Sequence, residues 1–428
     1  MTSDQVRGQN LALVKTLTYL MFAMFAMTTD SVGVIIPEVI RTLRLSLTAA
    51  GTFQYATMTG IAFAGLCLGS LADRFGRRRT IIVGLGLFAA ACFLLSAGNS
   101  LWFFAVLLTL SGLAIGIFKT GALALIGDVS RSTGEHTSIM NTLEGFFGVG
   151  AIVGPALLTR LLAAGLSWKW LYVIAGGLCV VLVVLALLVR YPETPRHAAG
   201  ASLSGTSAAL RNRYVLAFSA GAFLYVAVEA AIYVWMPTLL ARYTGSAAAL
   251  AAYSLSVFFL LRAAGRFLGA WMLRQASWQL VLMVFSGGIL ACFALTVVGG
   301  VAWGVFLLPL SGLFMSVMYP TINSKGINCA PKRDHGAAAG VILFFTCVAA
   351  VVAPLMLGAA GDAFGDILYG YWLASGFAVL LFCGSILNWA LNPTRAVLEQ
   401  RDMTEYEEQN LLHSVQRATR EATSPVQL

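Results

Sequence analysis

The sequence GSLADRFGRRRT occupies residues 69–80 and joins two long apolar stretches, 48–72 and 79–97. Glycine lets helices approach closely, and an acidic residue at a helix end can accept hydrogen bonds from the first amides of a neighbouring helix. We therefore expect this loop to hold two helices together on one side of the molecule. The alternative is that its arginines only anchor the loop to anionic lipid. Five residues are predicted to form this latch: Gly69, Asp73, Arg74, Gly76 and Arg77.

The composition around this loop is that of a membrane protein. Hydrophobic residues make up 59% of the 428 residues and charged residues 11%, against about 25% charged in an ordinary soluble domain. Apolar stretches of about 20 residues, the length that crosses a bilayer, recur between short polar breaks. Twelve are predicted, at 12–36, 48–72, 79–97, 101–127, 138–164, 168–190, 214–240, 247–272, 279–299, 301–325, 336–361 and 367–391.

The chain also repeats itself at an offset of 200 residues. Residues 111–113 (Ser-Gly-Leu) recur at 311–313, and Pro37 and Gly69 fall on Pro237 and Gly269. A repeat of this length is typical of the paired halves of secondary transporters. We predict an all-α membrane protein with two pseudo-symmetric six-helix bundles. The predicted units are an N-terminal bundle at 1–190, a flexible cytoplasmic linker at 191–213, a C-terminal bundle at 214–391 and a cytoplasmic tail at 392–428.

Basic residues concentrate in alternate loops, which predicts the orientation of the chain. If both termini are cytoplasmic, the inside loops carry most of the arginines and lysines, so a multi-pass protein of a plasma membrane, the bacterial inner membrane, is expected. The net charge of +9 then follows from topology, and no nucleic-acid partner is expected because the basic residues form no single stripe. The expected partners are membrane lipid and a small-molecule solute, and a functional monomer is expected.

The sequence contains no pattern that predicts an enzyme or a cofactor. The seven cysteines form no close pairs, and the four histidines lie in predicted loops or in the tail without metal-ligand spacing. A membrane enzyme would need a catalytic pair inside the spans, which the sequence does not offer. We predict no metal and no cofactor apart from protons, while a solute-sensing receptor without transport stays an open alternative.

Four ionisable residues lie well inside predicted spans, where charge is costly and usually functional. They are Asp30, Lys119, Glu144 and Glu229. None of them has a charged counterpart at exactly 200 residues, although Glu229 lies one position out of register with Asp30. We therefore expect the coupling chemistry to lie mainly in the N-terminal bundle. Lys119 either pairs with a carboxylate or contacts an anionic group of the solute.

The loop at 69–80 resembles the loop between the second and third helices of the major facilitator superfamily. This resemblance, which extends over about residues 12–391, implies alternating access by rocking of the two bundles, with the latch acting as the cytoplasmic gate. It also implies that helices one, four, seven and ten line the solute cavity. Asp30, Lys119 and Glu229 would then face that cavity, and Asp30, Glu144 and Glu229 become candidates for proton coupling.

Four stretches are similar to the fucose-proton symporter family and its glucose-transporting relatives. They are Thr29-Asp30 before Pro37, residues 141–152 (NTLEGFFGVGAI), residues 224–229 (LYVAVE) before Trp235, and residues 312–327 (GLFMSVMYPTINSKGI). The similarity implies proton-coupled uptake of a monosaccharide or a sugar-derived acid. The candidate solute-binding residues are Lys119, Glu144, Tyr225, Trp235, Tyr319 and Asn323. The chain departs from that family at Lys119, where a glutamate tied to coupling is usual.

A rival function is proton-antiport efflux of small organic molecules or drugs. The motif Gly150-x-x-x-Gly154-Pro155 resembles part of a motif of drug exporters. The same small-residue spacing is also typical of close helix packing beside a proline kink, and this is the interpretation we favour.

Overall fold

A computed structural model describes residues 3–68, 75–129, 133–189, 191, 203–331 and 335–400, and its regular elements are all helices. The first half contains α1 (Ser3–Thr29), α2 (Val32–Leu43), α3 (Leu47–Ala50), α4 (Thr52–Cys67), α5 (Arg77–Ala97), α6 (Leu101–Val129), α7 (Thr133–Ala163) and α8 (Lys169–Leu188). Helix α9 (Leu203–Arg211) lies between the halves. The second half contains α10 (Arg213–Ala230), a π-helical turn (Ala231–Trp235), α11 (Met236–Leu240), α12 (Ala248–Ala252), α13 (Ser254–Gln275), α14 (Trp278–Met315), α15 (Met318–Asn328), α16 (His335–Phe364) and α17 (Leu368–Leu391).

Ten helical segments of the described residues are long and apolar enough to cross a membrane. One of them, Trp278–Asn328, contains two spans, because α14 reverses at Gly300 with φ +64° and ψ −155°, a conformation open almost only to glycine. Helix α4, with 16 largely apolar residues from Thr52 to Cys67, adds a further span. Twelve spans result, in agreement with the sequence prediction.

The two halves use their repeated glycines in the same way. A Cβ atom on Gly112 of α6 would lie 2.0 Å from the carbonyl oxygen of Thr57 on α4. A Cβ atom on Gly312 of α14 would lie 2.4 Å from the carbonyl oxygen of Phe258 on α13. Only glycine permits backbones this close. The 200-residue repeat thus corresponds to one helix pairing that is built twice.

The predicted flexible linker at 191–213 is partly helical. Within it, α9 packs on α16 and α10, with Ala209 buried. The Asn212 side chain caps α10 by accepting hydrogen bonds from the amides of Tyr214 (3.0 Å) and Val215 (3.3 Å), and it donates to the Cys329 carbonyl (3.1 Å). Alanine and leucine are good helix formers, so composition underestimated the order here. The linker's end is therefore fixed to the second half.

Four hydrogen bonds between described residues of the two halves lie on one side of the bundle. We call this the far side, where the first span ends, and we call the side of the N-terminus and the linker the near side. The Asp362 carboxylate, at the far end of α16, accepts hydrogen bonds from the amides of Leu47 (2.7 Å) and Thr48 (2.8 Å) at the start of α3. The negative charge therefore caps a short helix of the opposite half.

Spans five and eight meet on the same side. The Ser256 hydroxyl donates to the Ile152 carbonyl (3.0 Å), and the Thr159 hydroxyl donates to the Ala252 carbonyl (3.2 Å). Helix α2 also approaches the seventh span so closely that a Cβ atom on Gly33 would lie 2.2 Å from the Tyr233 carbonyl oxygen. The structure is thus closed on the far side.

Candidate functional site

The first span is interrupted at Asp30, between α1 and α2. Hydroxyl groups on both sides of it bond back to the helix: Thr28 donates to the Phe25 carbonyl (2.9 Å) and Ser31 to the Met27 carbonyl (2.5 Å). Such back-bonding competes with the helical ladder and bends helices. The run of short polar residues at 28–31 therefore places the carboxylate at a break within the span.

Asp30 lies in a polar environment that both halves contribute. The Thr29 hydroxyl donates to its Oδ2 atom (2.9 Å). Its side chain is partly buried and interacts electrostatically with Arg262 and Glu229 of the second half and with Lys119 of the first half. The carboxylate therefore belongs to a charge cluster between the halves.

The seventh span contributes to this cluster through an irregular turn. Pro237 lacks the amide that would bond the Tyr233 carbonyl, and the helix widens there into the π-helical turn Ala231–Trp235. The Tyr371 hydroxyl donates to the Ala231 carbonyl (2.7 Å), which satisfies one of the displaced backbone groups. The turn begins directly after Glu229 and Ala230, so it fixes the direction in which Glu229 projects.

Glu229 forms a buried ion pair with Arg262 of α13. The Glu229 side chain is 9% exposed and the Arg262 side chain 22% exposed. A carboxylate at this depth is costly unless it is paired, and the guanidinium supplies the opposite charge. The pair joins the seventh and eighth spans next to Asp30.

Sequence reasoning missed Arg262. It is the sixteenth residue of the predicted span 247–272 and precedes Arg266 by one helical turn. Its depth inside an apolar segment was the available signal, since intramembrane charges default to functional roles. With Glu229 it places two charges of the cluster in the C-terminal half. The expectation that the coupling chemistry lies mainly in the N-terminal bundle stays a prediction.

Lys119 of α6 reaches into the space between the halves. Its ammonium nitrogen lies 5.5 Å from the ring centroid of Phe147 on α7, and it interacts electrostatically with Asp30 and with Cys347 on α16. Within the part of the chain that the structure describes, no carboxylate oxygen lies within 4.0 Å of the Lys119 ammonium nitrogen. Lys119 is therefore a cation that lies beside an aromatic face and forms no ion pair among the described residues.

Glu144 and Arg266 extend the cluster toward the near side. Glu144 lies on α7 and Arg266 one turn beyond Arg262 on α13, and both side chains are exposed. Arg266 interacts electrostatically with Glu144, and Glu144 also acts on Arg262. The cluster thus contains three carboxylates and three cations contributed by five spans.

Residues 18–354 match the sequence profile of the Major Facilitator Superfamily. The chain belongs to this family. This facilitator is 25% identical over 402 residues to a glucose/galactose transporter of Brucella abortus biovar 1 (strain 9-941), a match that covers 90% of the chain and 96% of the relative. It is 22% identical to the L-fucose-proton symporter of Escherichia coli (strain K12), covering 85% of the chain and 91% of the relative. Both the relatives and the fold are those of transporters and not of enzymes, and the predicted resemblance is confirmed.

The fold of this facilitator is also similar to solved structures of the superfamily. The crystal structure of the nucleoside transporter NupG superposes with a TM-score of 0.71 at 15% identity, covering 88% of this chain and 98% of that one. The two-bundle architecture predicted from the repeat is therefore the superfamily fold.

Two of the predicted solute-binding tyrosines in the facilitator stack on each other in the second half. The rings of Tyr225 and Tyr319 lie 6.2 Å apart at 29°. Tyr225 is fully buried, and its hydroxyl donates to the Met315 carbonyl (3.1 Å). Tyr319 and Asn323, one turn apart on α15, stay partly exposed. Tyr225 is thus a buried packing partner of the Tyr319 ring, which stays partly exposed.

Trp235, another predicted solute contact, is fully buried between the seventh and eleventh spans. Its Nε1 atom donates to the Pro354 carbonyl (3.1 Å), and a Cβ atom on Gly358 would lie 2.9 Å from its ring. In this conformation the indole packs against α16 of the same half.

The predicted latch is described only in part. Gly69, Asp73 and Arg74 lie outside the described residues. Gly76 precedes α5 with φ +87°, a backbone conformation that favours glycine, and Arg77 begins α5 with a buried side chain. The assignment of these five residues to a cytoplasmic gate stays a prediction.

The glycine motif of the fifth span packs against the first. Cβ atoms on Gly150 and Gly154 would lie 2.0 Å and 2.3 Å from the carbonyl oxygens of Ala23 and Met27. The close-packing interpretation of this motif is therefore confirmed, and it requires no exporter function.

Proposed function

We propose that this facilitator couples proton entry to the uptake of a small hydroxylated solute, a monosaccharide or a sugar-derived acid, by alternating access. The observation that carries the proposal is the position of Asp30, at a helix break between the halves and facing charges from both. A carboxylate placed there can take a proton from one side and release it to the other as access alternates.

Three features support the assignment. Two relatives that match most of the chain are named as a glucose/galactose transporter and an L-fucose-proton symporter. Tyr319 and Asn323 offer an aromatic face and an amide, which suit a hydroxylated ring. The positive-inside rule makes the near side cytoplasmic, so the far-side closure corresponds to a cytoplasm-facing state. In the bacterial inner membrane, the proton gradient would then drive accumulation of the solute in the cytoplasm. A single chain would be the functional unit.

Uptake into proteoliposomes tests this function. With an inside-alkaline pH gradient, we expect one member of a panel of neutral sugars and sugar acids to accumulate above its external concentration, and a protonophore to abolish the accumulation. Asp30→Asn should lose accumulation and keep solute exchange. Gradient-driven extrusion of an organic cation, with no flux of any sugar or sugar acid, would favour efflux instead.

A further inference from the structure

We propose that the solute carries a carboxylate and that Lys119 binds it when Asp30 is protonated. This deepens the proposed function and rests on it. The chemical class is a monoanionic sugar acid, such as a hexuronate or an aldonate. The inference comes from how the six charges between the halves are divided.

One cation of the cluster is already neutralised, because Arg262 forms the ion pair with Glu229. Asp30 interacts electrostatically with Arg262 and, less strongly, with Lys119, and it forms no ion pair with either in the described structure. Glu144 interacts with the exposed Arg266. Protonation of Asp30 therefore leaves one positive charge in excess, and Lys119 is the partly buried cation of the cluster that forms no ion pair among the described residues.

Lys119 is positioned to receive a ligand. Its ammonium group has three donors and lies beside the Phe147 ring, between the first half and Cys347 of the second. Arg262 is less available because Glu229 already occupies it. A solute that spans from Lys119 toward Tyr319 and Asn323 would contact both halves.

Charge balance links the proton to the anion. In the empty protein, ionised Asp30 balances the charge of the cluster, with Arg262, Lys119, Glu229 and Tyr233 as the titratable or charged groups near it. A proton on Asp30 leaves Lys119 uncompensated inside the membrane, where a lone charge is costly. A monoanionic solute restores the balance. The loaded protein, carrying one proton and one anion, then has the same net charge as the empty one.

A neutral sugar would not restore this balance. With Asp30 protonated and a neutral ligand bound, the loaded protein would carry one extra positive charge across the membrane. The two solute classes therefore differ in a measurable way: proton symport of a monoanion is electroneutral, and proton symport of a neutral sugar moves charge.

Ligand-induced thermal stabilisation of the purified protein, with D-galacturonate and D-galactose as matched probes, tests the binding step. We expect stabilisation by galacturonate and not by galactose. Because one proton is taken up per anion bound, the apparent Kd should rise about tenfold per pH unit where Asp30 is ionised in the free protein. The sugar acid itself stays ionised, because its carboxyl group has a pKa of about 3.5. In Asp30→Asn the affinity should be retained and lose its pH dependence.

Lys119→Gln should lose at least tenfold in affinity for galacturonate, and Lys119→Arg, which keeps the positive charge, should retain most of it. Lys325→Gln is the matched control, because Lys325 also lies beside an aromatic ring, that of Trp278 at 5.7 Å. Unchanged galacturonate affinity in Lys119→Gln, or an equal loss in Lys325→Gln, would overturn the proposal. Stabilisation by galactose alone would overturn it as well.

Flux under a clamped membrane potential separates this inference from the proposed function. We expect galacturonate uptake to follow the pH gradient and to be insensitive to potential. Proton-driven galactose uptake that responds to potential would overturn the carboxylate inference and leave proton-coupled sugar transport intact. Uptake of either probe that ignores the pH gradient would overturn the proposed function itself.

Discussion

Asp362 holds the amide of Leu47 at 2.7 Å from its carboxylate, and this contact joins the eleventh span of one half to the loop after the first span of the other. The same carboxylate accepts a hydrogen bond from Thr48. In the proposed alternating-access cycle the far side opens, so these bonds would break in every cycle. Asp362 thus stabilises the state that is closed on the far side.

Asp362→Asn should shift the protein toward the state that is open on the far side. Losing a charge-assisted bond of about 1 kcal/mol changes the ratio of the two states about fivefold. Spin labels on Thr42→Cys and Ser246→Cys, both exposed on the far side, would report the shift as a larger population of long distances. Asp366→Asn is the matched control, because Asp366 pairs with Arg242 of its own half. Equal shifts in both variants would show that Asp362 does not hold the two halves together.

Substitutions of Glu229 and Arg262 should have strongly non-additive effects on the stability of the protein. Removing one partner leaves a buried charge unpaired, which costs about 3 kcal/mol, so Glu229→Gln and Arg262→Met should each lower the thermal stability. The double variant should recover much of the loss, giving a coupling energy of about 1 to 3 kcal/mol in a double-mutant cycle. The exposed pair Arg41 and Glu38 is the control and should show no measurable coupling. Additive losses for the buried pair would refute its role.

Gly150→Ala should destabilise the first half. The added methyl group would meet the Ala23 carbonyl at 2.0 Å, so α7 must move away from α1. A fall in the apparent melting temperature of purified protein checks this, with Gly148→Ala as control, because that position on the same helix has open space. A stability equal to that of the control would show that the two helices can separate at little cost.

Much of the fold was predictable from the sequence because the bilayer imposes it. Span length, basic loops and the 200-residue repeat each reflect a constraint that acts along the chain. The reversal at Gly300 and the break at Asp30 depend on local backbone geometry. Each coincides with a pattern that is visible in the sequence, a pair of glycines in the first case and a run of short polar residues in the second.

The site was less predictable because its partners come from distant positions. Asp30, Lys119, Glu144 and Glu229 were identified by depth alone, but depth does not tell which charge pairs with which. Arg262 was overlooked although it lies inside the predicted span 247–272, and Asp362 gave no signal because it lies at a span end. Trp235 and Tyr225 were predicted as solute contacts, yet both are fully buried and donate hydrogen bonds to backbone carbonyls. Sequence position alone does not separate an aromatic solute contact from an aromatic packing residue.

Proton movement that accompanies solute entry tests the central claim, that Asp30 carries the coupled proton, most directly. In lightly buffered proteoliposomes without an imposed gradient, adding the solute should make the external medium more alkaline at one proton per solute molecule. In Asp30→Asn, solute should equilibrate without a pH change. Undiminished alkalinisation in Asp30→Asn would contradict the account.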